Sequence, residues 1–263
     1  MKANFHTHTT RCKHASGADE EYVIAALEAG FEELGFADHA PWPFPGGFVG
    51  GARMAVDQLP GYIDSITHLQ DAYADRIRIR LGLESEYYPC YHDHTLRMRD
   101  MGIQYFILGQ HNIEPENVCP YAAGDCEADD RVLRYAEAVV TGIRTGLFAY
   151  VAHPDLYMGH RQKPEQFNRY CERAADMICQ AAKEQGMPLE YNLLGLYDAL
   201  SGHSRGYPSP AFWQYARKYD NDVILGVDAH APDHLLRHNV WQTAVQQVTD
   251  LGYRLVDSPV FPE

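Results

Sequence analysis

The chain has 263 residues and a formal net charge of −14, because 36 Asp and Glu residues outnumber 22 Lys and Arg residues. This length suits one α/β barrel with a large core, and the negative charge disfavours binding to nucleic acid backbones. The 46% hydrophobic content argues against disorder, and no apolar run is long enough to predict a membrane span.

Short apolar runs alternate with longer amphipathic segments along the chain, which is typical of repeated strand–helix units. The predicted strands are 3–7, 33–38, 77–84, 104–110, 147–152, 188–192 and 223–228, with a further candidate near 252–256. The predicted helices are 19–29, 60–75, 91–101, 129–145, 165–186, 209–219 and 239–251. We therefore predict a single α/β domain over residues 1–263, a barrel whose closure the sequence leaves open.

Three connections are longer than a minimal barrel needs and are rich in Gly and Pro. They are 40–58, 112–128 and 193–208. Long loops after strand ends are often lids or specificity elements, and surface insertions are the alternative.

Seven of the fourteen histidines and two acids stand at or just after the C-terminal ends of predicted strands. They are His6, His8, His14, His39, Glu84, His111, His153, Asp228 and His230. The C-terminal ends of parallel barrel strands meet at one mouth. Imidazole and carboxylate together suit Zn, Mn or Fe. The sequence therefore predicts a multinuclear metal hydrolase with its site at this mouth.

Residue spacing within the strands strengthens this prediction. His6 and His8 are two positions apart, so in a strand both side chains point to one side and can hold one metal. Asp228 and His230 repeat the spacing after a later apolar run, now with a carboxylate. With the spacing of Glu84 and Glu86 described next, three independent signals at strand ends favour a shared site over coincidence.

Glu84 and Glu86 also differ by two positions and could both face the mouth. Glu84 follows the strand core directly, so we favour it as a carboxylate that bridges two metals. Glu86 is expected to be a supporting or surface group.

Other histidines have less promising positions. His92 and His94 begin a predicted helix, where residues two apart diverge, so we expect a solvated helix start. His68 lies within another predicted helix. His234 and His238 are four residues apart and could bind a metal, but a solvent-facing role is favoured.

Taken in order, these motifs resemble the polymerase and histidinol phosphatase (PHP) family over almost the whole chain. The matching motifs are His6-Thr7-His8, His14, Asp38-His39, Gly82-Leu83-Glu84, His111, His153-Pro154-Asp155 and Asp228-Ala229-His230. The resemblance implies a distorted (β/α)7 TIM-like barrel with a trinuclear site. The implied ligands are His6, His8, Glu84 and Asp228 for one metal, Glu84, His111 and His153 for a second, and His14, His39 and His230 for a third.

Within the family, the chain most resembles the stand-alone histidinol phosphatases, through its length, Cys12-Lys13-His14 and Tyr207-Pro208-Ser209-Pro210. This resemblance implies hydrolysis of L-histidinol phosphate, a step of histidine biosynthesis. Two departures concern the substrate: Gln110 stands where a small hydroxyl residue is expected, and Asn192-Leu193-Leu194-Gly195 is less polar than the family pattern.

Four residues are candidates for contact with the substrate. The resemblance places Arg161 and Arg205 where phosphate-binding arginines are expected, and a guanidinium can bind phosphate through two parallel hydrogen bonds. The alternative for each arginine is an exposed surface charge. The long connections also offer Trp42 for stacking on the substrate and Asp198 for pairing with its amine.

We therefore expect a phosphomonoesterase that uses two to three divalent transition metals, Zn, Mn or Fe. Its expected catalytic residues are Glu84, Asp228, Arg161 and Arg205. The alternatives are another PHP phosphatase or phosphoesterase, a PHP nuclease, which the net charge disfavours, and a metal-binding protein without turnover. The expected partner is a small phosphate ester, with no nucleic acid and no membrane, and the oligomeric state is open.

The six cysteines form no CxxC pair and no dense framework, so we expect free thiols in a reducing compartment. The start Met-Lys-Ala-Asn-Phe-His enters a predicted strand without an apolar signal segment. Both features favour a cytoplasmic protein.

Overall fold

Short parallel strands form the centre of the molecule, and the computed structural model describes residues 2–119, 128–161 and 163–262. The strands are β1 (Ala3–Asn4), β2 (Glu33–His39), β3 (Arg78–Ser85), β4 (Tyr105–Leu108), β5 (Leu189–Asn192), β6 (Asp222–Gly226) and β7 (Arg254–Leu255). One sheet has the order β1-β2-β3-β4 and the other has the order β5-β6-β7, and all pairs are parallel.

Three isolated bridges join the two sheets into a distorted barrel. Val151 pairs with Leu108 of β4 and with Leu189 of β5, so the predicted strand 147–152 is reduced to one bridging residue. On the other side Thr7 pairs with Ala229 just beyond β6. The predicted α/β barrel is therefore confirmed, and backbone hydrogen bonds close it at the C-terminal ends of the strands.

Helices surround the strands. Their bounds are α1 (Asp19–Ala29), α2 (Leu59–Ala72), α3 (His92–Asp100), α4 (Asp129–Ile143), α5 (Arg169–Glu184), α6 (Leu193–Leu200), α7 (Pro210–Ala216) and α8 (His238–Asp250). Local chemistry fixes several ends: α1 has three acids in its first turn and ends at Gly30, whose φ is 78°. The Asn168 side chain caps α5 by accepting from the backbone N–H of Tyr170 and Cys171.

The prediction of a long loop over 193–208 is wrong in its first half, because α6 begins directly after β5. The Asn192 side chain accepts a hydrogen bond of 2.9 Å from the backbone N–H of Gly195 and so caps this helix. The side chains of Leu193 and Leu196 are buried and hold the helix against the barrel. The 112–128 connection falls partly on 120–127, which lie outside the described residues.

The buried Tyr105 side chain packs among the strands β1, β2 and β3. The Tyr105 hydroxyl donates to the carbonyls of Phe5 and Phe36 at 2.9 and 3.0 Å. The Phe261 ring packs edge-on against Phe5 and Tyr105, with centroid distances of 5.4 Å to each. A Cβ atom at Gly82 would lie 2.3 Å from the Tyr105 ring, so this strand position requires glycine.

Two simpler expectations can be compared with the described residues. None of the described helices is both long and apolar enough to cross a membrane. The described cysteines, at positions 12, 90, 119, 171 and 179, are free thiols, as predicted.

The tight contact at Gly82 gives a stability prediction. We expect Gly82→Ala to lower the free energy of unfolding by about 1–3 kcal/mol, because the added methyl group meets a rigid aromatic ring. The matched control is Gly61→Ala in α2, where the site is exposed and open, and we expect a gain of about 0.5–1 kcal/mol. Urea denaturation of both variants measures the difference, and equal effects would contradict this account of the core.

Candidate metal centre

An open cavity of about 610 Å³ lies at the C-terminal ends of the strands. Eight of the nine predicted metal-binding residues line it. They are His8, His14, His39, Glu84, His111, His153, Asp228 and His230. The ninth, His6, is fully buried below them. The fold therefore brings the whole predicted set together.

The strand register explains this convergence. His39 and Glu84 are paired across the ends of β2 and β3. His153 follows the bridge at Val151, and Asp228 follows β6. Both His153 and Asp228 have positive φ angles, 28° and 54°. Such backbone angles are uncommon for residues other than glycine and are often found at functional sites.

The deepest part of the site contains four buried atoms that could bind a metal and that have no hydrogen-bond partner among the described residues. They are His6 Nε2, His8 Nε2, Glu84 Oε2 and Asp228 Oδ1. His6 Nε2 lies 3.4 Å from both the Glu84 and the Asp228 oxygen. His8 Nε2 lies 3.4 Å from the Glu84 oxygen and 3.2 Å from the Asp228 oxygen.

These spacings match a metal site. Buried polar atoms without partners are costly in a protein interior, so four that face one another need an explanation. A tetrahedral metal with bonds of about 2.0–2.1 Å holds its donor atoms about 3.3–3.4 Å apart. The donor types, two imidazoles and two carboxylates, also suit a divalent transition metal.

Glu84 uses its other oxygen on a second group of imidazoles. Glu84 Oε1 lies 2.8 Å from His153 Nε2 and 3.4 Å from His111 Nε2. Because the two carboxylate oxygens face different nitrogen sets, Glu84 has the geometry of a bridging ligand.

A third group of donors lies nearer the solvent. His14 Nε2 and His230 Nε2 are 2.9 Å apart. The Nδ1 atom of His14 lies 2.7 Å from the Cys12 carbonyl, and the Nδ1 atom of His230 lies 3.0 Å from the Asp228 carbonyl. These contacts fix the orientation of both rings. His39 shares a compact donor group with His8 and His230, and Cys12 shares one with His14 and His230. The Cys12 thiol is thus a neighbour of this group that sequence reasoning missed.

The two carboxylates are held in their charged form. Burial disfavours ionisation of Glu84, yet the imidazoles of His111 and His6 hold its pKa well below the usual range. Burial likewise opposes the charge on Asp228, and His6 and His8 again hold its pKa well below the usual range. Both groups therefore present anionic oxygens to the cavity.

The imidazoles differ in protonation. Burial and the nearby His8 hold the pKa of His39 well below its usual range, and burial together with His8 lowers the pKa of His230 to about 3. These two rings are neutral at pH 7 and can bind a metal directly. Burial also opposes the charge on His8, but Asp228 and Asp38 raise its pKa to about 9, so a metal must displace a proton there.

Glu190 is a site residue that sequence reasoning missed. Its carboxylate is buried, lies 2.7 Å from His6 Nδ1 and accepts hydrogen bonds of 3.0 Å from the His153 backbone N–H and the Asn192 side chain. The hydrogen bond at Nδ1 orients the ring so that His6 Nε2 faces the carboxylates of Glu84 and Asp228. The available signal was an acid within the short buried strand β5.

Glu86 lies beside the donor groups and is fully buried, so the surface alternative for it is wrong. Its oxygens accept from Arg53 Nη2 at 2.8 Å and from Trp42 Nε1 at 3.0 Å. Glu86 Oε1 also lies 3.6 Å from His111 Nδ1. Arg53 lines the cavity although it is only 2% exposed, and sequence reasoning did not identify it.

Two residues that were expected to contact the substrate are not among the described residues that line the cavity. Trp42 is buried, and its ring packs against Tyr88. Arg161 is also buried, and its guanidinium donates to Asp129 at 2.9 Å, away from the described cavity lining.

Arg205 does line the cavity, and Asp198 is its ion-pair partner. Asp198 is not among the described lining residues, and its contact with a substrate amine stays a prediction. Its carboxylate orients the Arg205 guanidinium, which is half-exposed to the cavity.

Two histidines that were expected to face solvent do not. His94 is buried in α3, and its Nε2 lies 2.9 Å from the Pro41 carbonyl. His234 lines the cavity, and its Nδ1 accepts from the His230 backbone N–H at 3.3 Å. His234 lies in the 3-10 turn Pro232–Leu236, whereas His238 begins α8, so the two do not share a helix face.

Known proteins resemble this chain over nearly its whole length. The PHP domain model matches residues 4–193. A Deinococcus radiodurans protein named "Probable histidinol-phosphatase" is 31% identical, with 95% of this chain and 94% of the relative covered. A Bacillus subtilis protein named "Histidinol-phosphatase" is 26% identical, with 88% of this chain and 94% of the relative covered.

A solved structure shares the fold. It is the histidinol phosphate phosphatase of Lactococcus lactis in complex with Zn, L-histidinol and phosphate, at 17% identity and a TM-score of 0.69. The match covers 98% of this chain and 96% of that one. From the family model and the 31% identical relative, the chain belongs to the PHP domain family.

Proposed function

We propose that this protein is a metal-dependent phosphomonoesterase that hydrolyses L-histidinol phosphate to L-histidinol and phosphate. The observation that carries the proposal is the set of four buried, unpartnered donor atoms at tetrahedral spacing beneath an open cavity. The names of two relatives that match most of the chain support the choice of substrate.

The proposed ligand sets follow the donor groups. They are His6, His8, Glu84 and Asp228 for one metal, Glu84, His111 and His153 for a second, and His14, His39 and His230 for a third. Two to three divalent transition metals, Zn, Mn or Fe, would occupy them. When bound, such metals supply positive charge to phosphoryl oxygens and lower the pKa of water.

The surrounding residues bind and orient the substrate. The Arg205 guanidinium at the cavity wall is placed to contact phosphoryl oxygens, and Asp198 holds it in position. Arg161 has no such role in this proposal, because it lies with Asp129 outside the described cavity lining. In the overall reaction water adds to phosphorus, the P–O bond to the alcohol breaks, and the alcohol oxygen gains a proton.

The cellular setting is also a proposal. The described cysteines are free thiols, which supports a reducing compartment such as the cytoplasm. A small phosphate ester is the expected partner, because the net charge of −14 disfavours nucleic acids.

Substrate preference tests the proposed function. We expect kcat/KM for L-histidinol phosphate to exceed that for 4-nitrophenyl phosphate by at least about a hundredfold, or about 2.7 kcal/mol of differential transition-state binding. The metals would bind any phosphate alike, so the preference must come from the cavity walls. Steady-state kinetics with Zn, Mn and Fe measures it, and equal values for the two esters would reject the histidinol assignment.

The ligand assignment predicts a difference between two glutamates. Wild-type protein reconstituted with Zn should carry about two to three metals per chain, and Glu84→Gln should lose at least about one, because the neutral amide cannot bridge two cations. Glu86→Gln is the matched control, since Glu86 pairs with Arg53, and we expect it to retain its metals. Elemental analysis measures both. Equal metal loss would show that Glu84 is not the bridge.

The ion pair at the cavity wall gives a further prediction. Arg205→Ala should raise KM about tenfold or more for every phosphate ester, because a charged hydrogen-bond donor to phosphate is lost. Asp198→Ala should raise KM less, through a misplaced Arg205, and should have little further effect in the Arg205→Ala background. A double-mutant cycle on two esters measures this. An effect of Asp198→Ala restricted to amine-bearing esters would contradict it.

A further inference from the structure

The wall formed by the segments that follow β2 and β4 contains a carboxylate for which the reaction so far has no role. Glu116 lines the cavity, and its side chain is 12% exposed. Its Oε1 accepts hydrogen bonds from Arg53, one of them of 2.7 Å from Nε. None of the described residues donates a hydrogen bond to its Oε2. One oxygen of a cavity carboxylate is therefore left for a ligand.

The Gly50 backbone packs against this carboxylate without a side chain. A Cβ atom at Gly50 would lie 2.0 Å from Glu116 Oε2, so any side chain there would clash with the carboxylate. The neighbouring Gly51 and Ala52 also line the cavity and are small. The nearby Lys13 amine donates to the Gly50 carbonyl at 2.9 Å and does not form an ion pair with Glu116.

The charge of this wall is negative. Arg53 is shared between Glu86 and Glu116, and Glu86 also has His111 Nδ1 at 3.6 Å, so Arg53 is the partner on which Glu116 depends. Both Glu86 oxygens are occupied, by Arg53 and by Trp42. Among the described residues, Arg53 supplies the one cation within 4.0 Å of the Glu116 carboxylate. The uncompensated charge therefore lies at Glu116, where a cationic ligand would be stabilised.

The opposite charge lies elsewhere in the cavity. Arg205, in the segment after α6, lines another part of the cavity. The metal-binding residues form the cavity floor. A substrate with a phosphate at one end and a cationic nitrogen at the other would be oriented by these two poles.

We propose that Glu116 is a specificity-determining residue that binds the ammonium group of an amino-alcohol phosphate, while Arg53 holds its carboxylate in place. The inference rests on the proposed phosphatase function and assigns to Glu116 the role that the sequence suggested for Asp198. The ammonium donates hydrogen bonds to Glu116 Oε2, and the phosphate lies toward Arg205 and the metal-binding floor.

The test compares two variants with the same change in charge. Glu116→Gln keeps an oxygen for Arg53 but removes the negative charge. Glu114→Gln is the matched control, because Glu114 lies in the same segment but is exposed and paired with Arg134. The substrates are L-histidinol phosphate and its analogue without the amine, 3-(imidazol-4-yl)propyl phosphate. Inorganic phosphate serves as a competitive inhibitor that reports on the phosphate pole alone.

We expect Glu116→Gln to raise KM for L-histidinol phosphate about tenfold or more, to change KM for the analogue less than about twofold, and to leave phosphate inhibition unchanged. Glu114→Gln should resemble the wild type with both esters. If Glu116→Gln impairs both esters equally, or neither, Glu116 does not recognise the amine. If Glu116→Gln does not fold, Glu116→Asp replaces it, and an equal KM change for both esters would overturn the inference.

These outcomes separate the inference from the proposed function. A wild-type enzyme that does not prefer L-histidinol phosphate over 4-nitrophenyl phosphate would reject the function itself. A wild type with that preference and a Glu116→Gln variant without a selective loss would reject only the role of Glu116.

Discussion

The carboxylate of Glu84 is the group on which the mouth of the barrel depends. It is 1% exposed, negatively charged and surrounded by imidazoles from several strand ends. A buried charge without full compensation costs several kcal/mol or more, and unpartnered nitrogen and oxygen atoms around it add to that cost. The arrangement becomes favourable when cations are shared between Glu84 and its neighbours, so the fold and the metal sites stabilise each other.

A second layer of polar contacts keeps the donor atoms in position. Glu190 holds the His6 ring and the strained His153 backbone, and Asp38 accepts a hydrogen bond from the Thr9 hydroxyl beside His8. These contacts come from β5, β2 and the segment after β1, so His6, His8 and His153 are supported by neighbouring elements. Rigid support of this kind sets ligand direction before any metal is present.

The rim of the cavity is organised by a buried guanidinium. Arg53 joins the segment after β2 to Glu86 of the β3 end and to Glu116 beyond β4. It also donates to the Ala40 carbonyl at 2.7 Å. One side chain thus ties three connections together, and the same contacts leave one wall of the cavity with excess negative charge. The overall charge of −14 repels anions, so phosphate must be attracted locally by Arg205 and by bound metals.

The sequence by itself determined the barrel class and the nine metal-type residues, because both are local properties of strands. Apolar runs predict strands, alternation fixes which residues share a side, and the ends of parallel strands must meet. The ion-pair partners of Arg161 and Asp198 were decided only by tertiary structure, since they are Asp129 and Arg205 and no periodic pattern encodes such pairs. The same holds for Trp42 and Glu116, because the path of a long loop follows from packing between distant segments.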